Sequence, residues 1–154
     1  MGQNKFNKYF LILISFFAIY SCQFDWVEER LIYLNKIEFG LSVRDAFKQK
    51  SIKYFSEDSS NNDFILNISN LKFKKKNFYG GSGARAQQIE IIGQLEYSFS
   101  NMTSNYDGKL EISDWIQVNE NNPQAEMTAQ QKIIEELEYL LLEDLLQEYW
   151  LIES

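Results

Sequence analysis

The sequence predicts an α+β fold, a two-layer α/β sandwich whose four- to five-stranded, mainly antiparallel sheet carries two helices on one face. Three observations carry this prediction. From residue 63 to residue 118 the apolar residues recur with a period of two, in three consecutive runs separated by turn residues. The last thirty or so residues instead carry a wide apolar stripe with helical spacing, Ile133, Ile134, Leu137, Leu140, Leu141, Leu145 and Leu146. A shorter helical stripe, Phe39, Val43, Ala46 and Phe47, precedes the strands. Three alternating strands make a meander with one face buried and one wet, and amphipathic helices cover the buried face.

The N-terminus has another character. Lys5 and Lys8 form a short basic front, and an uncharged, mostly apolar run from Tyr9 to Ser21 ends at Cys22, the only cysteine. That is the order of a secretory signal closing on a cysteine. Ile19 three positions before Cys22 and small Ser21 beside it match a bacterial lipobox, with Tyr20 larger than the usual occupant of its place. A membrane-spanning helix needs about 20 apolar residues, more than this run supplies. Residues 1–21 are therefore expected to be a lipoprotein signal peptide, with residues 22–154 one domain on a short tether and Cys22 the lipidated residue that anchors it to the membrane. A cleaved soluble form, an uncleaved signal anchor and a plain buried cysteine are the other readings of this stretch. Gln23 rather than Asp follows the cysteine, which favours the periplasmic side of the outer membrane over inner-membrane retention.

Composition narrows the function classes. The net charge is −7, and removing Lys5 and Lys8 with the leader makes the remainder more acidic still. Nucleic-acid binding, which wants a basic face, is disfavoured. The chain has no histidine, so serine–histidine and cysteine–histidine catalysis and histidine-bearing metal sites are excluded. No catalytic residue, metal or cofactor is expected. With a single cysteine no disulfide can form within the monomer, so packing alone holds the domain.

In chain order, Gln23 to Arg30 is a tether bearing Phe24 and Trp26. Leu31–Leu34 reads as a first short strand, residues 40–50 as a helix and Ser51–Phe55 as a second short strand. Ser56–Asn62 is a polar loop. In the third strand Phe64, Leu66 and Ile68 share one face and Leu71 and Phe73 the other, so the phase slips near Asn70, as at a β-bulge. After the slip Lys72, Lys74 and Lys76 project together. Gly80–Gly83 is the tip of a hairpin to the next strand, where Ile89, Ile91, Leu95, Tyr97 and Phe99 alternate with polar residues. Asn101–Gly108 is a turn, and Leu110, Ile112, Ile116 and Val118 form the apolar row of the last strand, with Asp114 interrupting that row and Trp115 the polar one. Asn119–Gln124 closes the sheet with the only proline. Thr128 with Gln131 could form a capping box for the final helix, whose acids are expected to face away from the stripe.

Two groups invite chemistry. The glycine-rich Gly80–Gly83 lacks the spacing of a phosphate loop and opens no helix. The basic group is more informative: in an acidic chain, Lys72, Lys74, Lys75 and Lys76 stand within five residues, with Arg85 across the hairpin. Lysines protect exposed strand edges, and they also serve as point charges for an anionic ligand.

The order of elements, lipobox, strand, helix, strand, polar loop, meander, Asn-Pro turn and long amphipathic helix, resembles the lipopolysaccharide-assembly lipoprotein LptE (RlpB) family. The stretches that carry the resemblance are Cys22 with Phe24, Leu41–Phe55, Asp63–Ile68, Ala86–Phe99, and Asn122-Pro123-Gln124-Ala125 before the last helix. It implies a lipid-anchored α/β sandwich that plugs the outer-membrane barrel LptD, supports its assembly and binds lipopolysaccharide. The wet face would then be a protein interface with Trp115 as an anchor. The family's basic ligand contacts at the hairpin tip and after the Asn-Pro turn have no counterpart: the tip is glycine-rich, and no Lys or Arg lies between Asn119 and Gln131. A lipopolysaccharide role therefore falls on Lys72, Lys74, Lys75, Lys76 and Arg85. The alternative is another small envelope lipoprotein, a scaffold or assembly factor for a different outer-membrane complex.

Overall fold

The computed structural model describes residues 31–58, 63–80, 86–118 and 122–153. The signal segment with Cys22, the end of the polar loop, most of the hairpin tip with Arg85, and part of the Asn-Pro turn lie outside the described residues. The elements run β1 (Ile32–Leu34), β2 (Lys36–Phe39), α1 (Asp45–Ser51), β3 (Phe55–Glu57), β4 (Ile65–Tyr79), β5 (Ala86–Ser100), β6 (Asn105–Gln117) and α2 (Pro123–Glu153). The main sheet has the order β2-β4-β5-β6, and β1 and β3 form a small separate sheet. β4, β5 and β6 are antiparallel neighbours, whereas β2 joins β4 in parallel and β1 joins β3 in parallel. The α+β prediction is met, with parallel strands added at one side.

The period of two sets which side of the sheet is buried. Leu66, Ile68 and Leu71 of β4 and Leu95 and Phe99 of β5 pack with Leu141, Leu142, Leu145 and Tyr149 of α2. A second patch, Ile89, Ile91, Ile133 and Leu137, continues the seam toward the start of the helix. The rings of Phe99 and Tyr149 lie 5.5 Å apart and those of Tyr97 and Phe99 5.6 Å, so aromatic packing closes the other end. Gly93 lies beneath the long helix. A Cβ there would lie 3.1 Å from the Phe73 ring and 3.2 Å from Leu141.

The bulge lies where the phase slip predicted it. Ile68 pairs with Tyr97 and Asn70 with Glu96, leaving Ser69 as the extra residue. Its effect is to keep Leu66, Ile68, Leu71 and Phe73 all on the helix side.

Several expectations are corrected. The first helix spans Asp45–Ser51 rather than 40–50, and Phe39 belongs to β2, a strand the sequence reading did not contain. Phe39 fits the stripe of Val43 and Phe47 by spacing alone, and pairing with Ile68 of β4 overrides that spacing. Ser51–Phe55 is the end of α1 and a turn, with β3 beginning only at Phe55. The β5–β6 turn is tighter than Asn101–Gly108, because Ser104 O accepts from Asn101 N–H at 2.9 Å and pairing resumes at Asn105. The long helix starts before Thr128. Asn122 Oδ1 accepts from Ala125 N–H at 3.0 Å with Pro123 in the first helical position, so Asn-Pro is the cap. Thr128 Oγ1 merely donates to Gln124 O within the helix. On that helix Leu142 is buried and Leu140 exposed.

The acids of α2 do not all face outward. Glu138 is only 1% exposed and is held by Arg44 and by Lys50, whose Nζ lies 2.8 Å from Oε2. The pair of cations from α1 and its N-cap thus clamps the short helix onto the long one. A buried carboxylate needs such partners.

Candidate functional site

The sheet face opposite the helices has no covering layer among the described residues, and the register gives its composition row by row. Lys76, Glu90 and Trp115 lie side by side across β4, β5 and β6; so do Lys74, Ile92 and Ser113, then Lys72, Gln94 and Glu111, then Asn70, Glu96 and Lys109. This is the wet face the alternation predicts, and Lys72, Lys74 and Lys76 stand on it together. They owe the position to the bulge at Ser69. Without the extra residue the alternation would turn this lysine phase toward the helix.

Strand geometry spaces these three lysines about 7 Å apart, a row about 13 Å long. Elsewhere on the face Asn70 Nδ2 donates to Glu96 Oε2 at 3.1 Å, Gln94 donates to Glu111, and Lys109 Nζ lies 3.6 Å from Glu111. Among the described residues none of Lys72, Lys74 and Lys76 forms an ion pair. Glu90 stands opposite Lys76 in the register without forming an ion pair with it, and Lys72 and Lys74 have Gln94 and Ile92 opposite them.

An aromatic pair closes one end of the row. The rings of Phe78 and Trp115 lie 4.5 Å apart, tilted by 50°, and Lys76 Nζ sits 4.8 Å from the Phe78 ring centre. Trp115 remains 44% exposed. The sequence reading singled out Trp115 and missed Phe78. The signal was present, because Phe78 continues the phase of Lys72, Lys74 and Lys76 by one more step.

The remaining candidates separate from this group. Lys75 lies on the helix side of β4, where its Nζ donates to Gln130 Oε1 of α2 and Gln130 Nε2 in turn donates to Glu126 Oε1 at 2.9 Å. It is exposed but not part of the row. Arg85 and Cys22 are outside the described residues. Among the described residues no group of three or more acids or cysteines is placed to hold a metal ion, and no helix is long and apolar enough to cross a membrane. The surface offers a linear set of cations beside a stacked aromatic pair, chemistry suited to binding anionic and amphiphilic partners.

No protein-family model matches the sequence, and neither does any curated protein. Solved structures do match. The rare lipoprotein B of Shewanella oneidensis superposes with a TM-score of 0.66 over 79% of this chain and 96% of that one, at 12% identity. The chain has the rare lipoprotein B fold. A lipoprotein B of Nitrosomonas europaea matches with a TM-score of 0.60 over 76% of this chain and 81% of that one, at 6% identity. A minor lipoprotein of Acinetobacter baumannii gives 0.55 over 77% and 92%, at 11% identity.

Proposed function

We propose that this protein is a non-enzymatic lipoprotein of the outer membrane, held by a lipid on Cys22, that plugs an LptD-type β-barrel and supports its assembly in lipopolysaccharide transport. The observation that carries the reading is a lipobox-like leader on a chain with the rare lipoprotein B fold. The open face fits the role physically. A sheet whose face opposite the helices is uncovered among the described residues, with Trp115 and Phe78 stacked on it, has a surface ready for a protein contact. The row of Lys72, Lys74 and Lys76 adds a place for the phosphates of lipopolysaccharide, which lysines bind as point charges.

Depletion in the native host tests the assembly role. Correctly assembled LptD-type barrel and surface lipopolysaccharide should both fall, and normal maturation of the barrel without this protein would refute it. Replacing Lys72, Lys74 and Lys76 together with glutamate should weaken lipopolysaccharide binding and flatten its dependence on salt. Unchanged binding would leave those lysines the task of edge protection alone.

A further inference from the structure

β4 is 15 residues long and its outer neighbour β2 only 4. Their parallel pairing covers Ile65 to Ile68. There β2 ends: Gly40 N–H donates to Ile68 O at 2.8 Å, and the backbones approach so closely that a Cβ on Gly40 would sit 2.1 Å from Ser69 O. The next outward amide, Leu71 N–H, is met by Ser42 Oγ at 3.4 Å. From Lys72 to Tyr79 no strand accompanies β4 on that side among the described residues.

The hydrogen-bonding phase of this free edge follows from two separate contacts. Val118 N–H donates to Gln87 O at 2.9 Å, which makes the odd residues of β5 face β6 and the even ones face β4. Lys72, Lys74 and Lys76, opposite Gln94, Ile92 and Glu90, therefore use their peptide groups in the ladder. Phe73, Lys75 and Asn77 turn their N–H and C=O outward, and the contact of Leu71 with Ser42 has the same phase. The far edge of the sheet is treated differently. On β6 the outward N–H of Trp115 is taken by Asp114 Oδ1 at 2.7 Å.

We propose that the edge of β4 from Phe73 to Asn77 accepts an extended acidic segment of a partner protein as an added strand. Backbone groups that await a partner give the docking mode. Charge complementarity gives the occupant: a strand laid about 4.8 Å away places every second side chain beside Lys72, Lys74 and Lys76, which have no ion pairs of their own among the described residues. Asp or Glu at alternate positions completes that row, and the same lysines repel a basic strand. The inference stands apart from lipopolysaccharide binding, because both use the lysines and only strand addition uses the outward peptide groups.

Fluorescence polarisation of the full-length protein with a labelled seven-residue peptide, glutamate alternating with threonine and valine, tests it. Saturable binding is expected, at least tenfold weaker for the same peptide with lysine in place of glutamate. Asn77→Pro removes one outward N–H without touching the β5 ladder, a substitution edge strands tolerate, and should weaken binding about tenfold while Asn77→Ala does not. Should Asn77→Pro disturb folding, two peptides N-methylated on alternate residues serve with the unaltered protein, and one of the two should lose binding. Equal binding of both methylated peptides would show attraction by charge alone and overturn the proposal. So would lipopolysaccharide vesicles that bind while the acidic peptide does not.

Discussion

The Nζ of Lys50 lies 2.8 Å from Oε2 of Glu138, a carboxylate that is 1% exposed and also held by Arg44. This contact joins the two helices that cover the sheet. Removing one partner of a buried pair costs about 3–5 kcal/mol, and the 44% exposure of Arg44 puts the expectation at the lower end. Glu138→Ala should lower the unfolding free energy in urea by about 3 kcal/mol. The double variant Lys50→Met with Glu138→Leu should recover part of that loss, because an apolar pair leaves no buried lone charge. An unchanged midpoint for Glu138→Ala would show that α1 is held by the apolar packing of Phe47, with Val43 just before the helix, alone.

Tyr97 lies across Gly108, where a Cβ would meet its ring and hydroxyl at 2.3 Å. Gly108→Ala should therefore destabilise by about 1–3 kcal/mol through overpacking. Combining it with Tyr97→Leu should cost less than the sum of the single changes, since the two residues touch. Additive effects in denaturant melts would contradict the contact.

Burial, and then its hydrogen bond to Glu148, push the Tyr97 hydroxyl well above the ordinary phenol value. The folded state thus favours the protonated ring, and that stabilisation is complete below the unfolded value of about 10. It is lost as pH rises from there toward the raised folded value. Thermal melts between pH 9 and 11, a window of about two units around that phenol value, should fall more steeply for the wild type than for Tyr97→Phe. Parallel slopes would remove Tyr97 from the alkaline transition.

The meander was legible in the sequence because its open face forces alternation, and the bulge showed as a slip between Ile68 and Leu71. The small elements were not. Phe39 satisfies the helical spacing of Val43 and Phe47, so β2 was hidden until pairing with β4 decided it. Ser51–Phe55 has the β-branched and aromatic look of a strand, yet it closes α1 and turns. Glu138 reads as one more acid on a solvated helix face, since its partners Arg44 and Lys50 are nearly a hundred residues away and only tertiary packing unites them. The lysine row and Trp115 could be found from phase alone. That Phe78 stacks on Trp115 required the pairing of β4, β5 and β6.

The cap of the long helix is local chemistry and should behave so. Asn122→Ala removes the acceptor of the Ala125 N–H and should cost about 1 kcal/mol. Thr128→Ala, inside the helix, should change stability by only a few tenths of that, as for ordinary surface substitutions. The reverse order would restore Thr128 as the cap.

Trp115 separates stability from recognition. Its stacking on Phe78 is worth about 0.5–1.5 kcal/mol, so Trp115→Ser should leave a folded protein by circular dichroism. A buried interface anchor is worth about 2 kcal/mol or more, roughly 30-fold in affinity. Partner capture should therefore drop far more than stability does, and equal losses would place Trp115 in the fold rather than in an interface.

The most direct measurement is co-purification of the native protein from solubilised outer membrane, with mass analysis of the residue at the mature N-terminus. The account predicts an acylated Cys22 and an LptD-type barrel as the dominant partner, cross-linked through a photoreactive residue placed at position 115. An unmodified cysteine, or a different partner at that position, would contradict it.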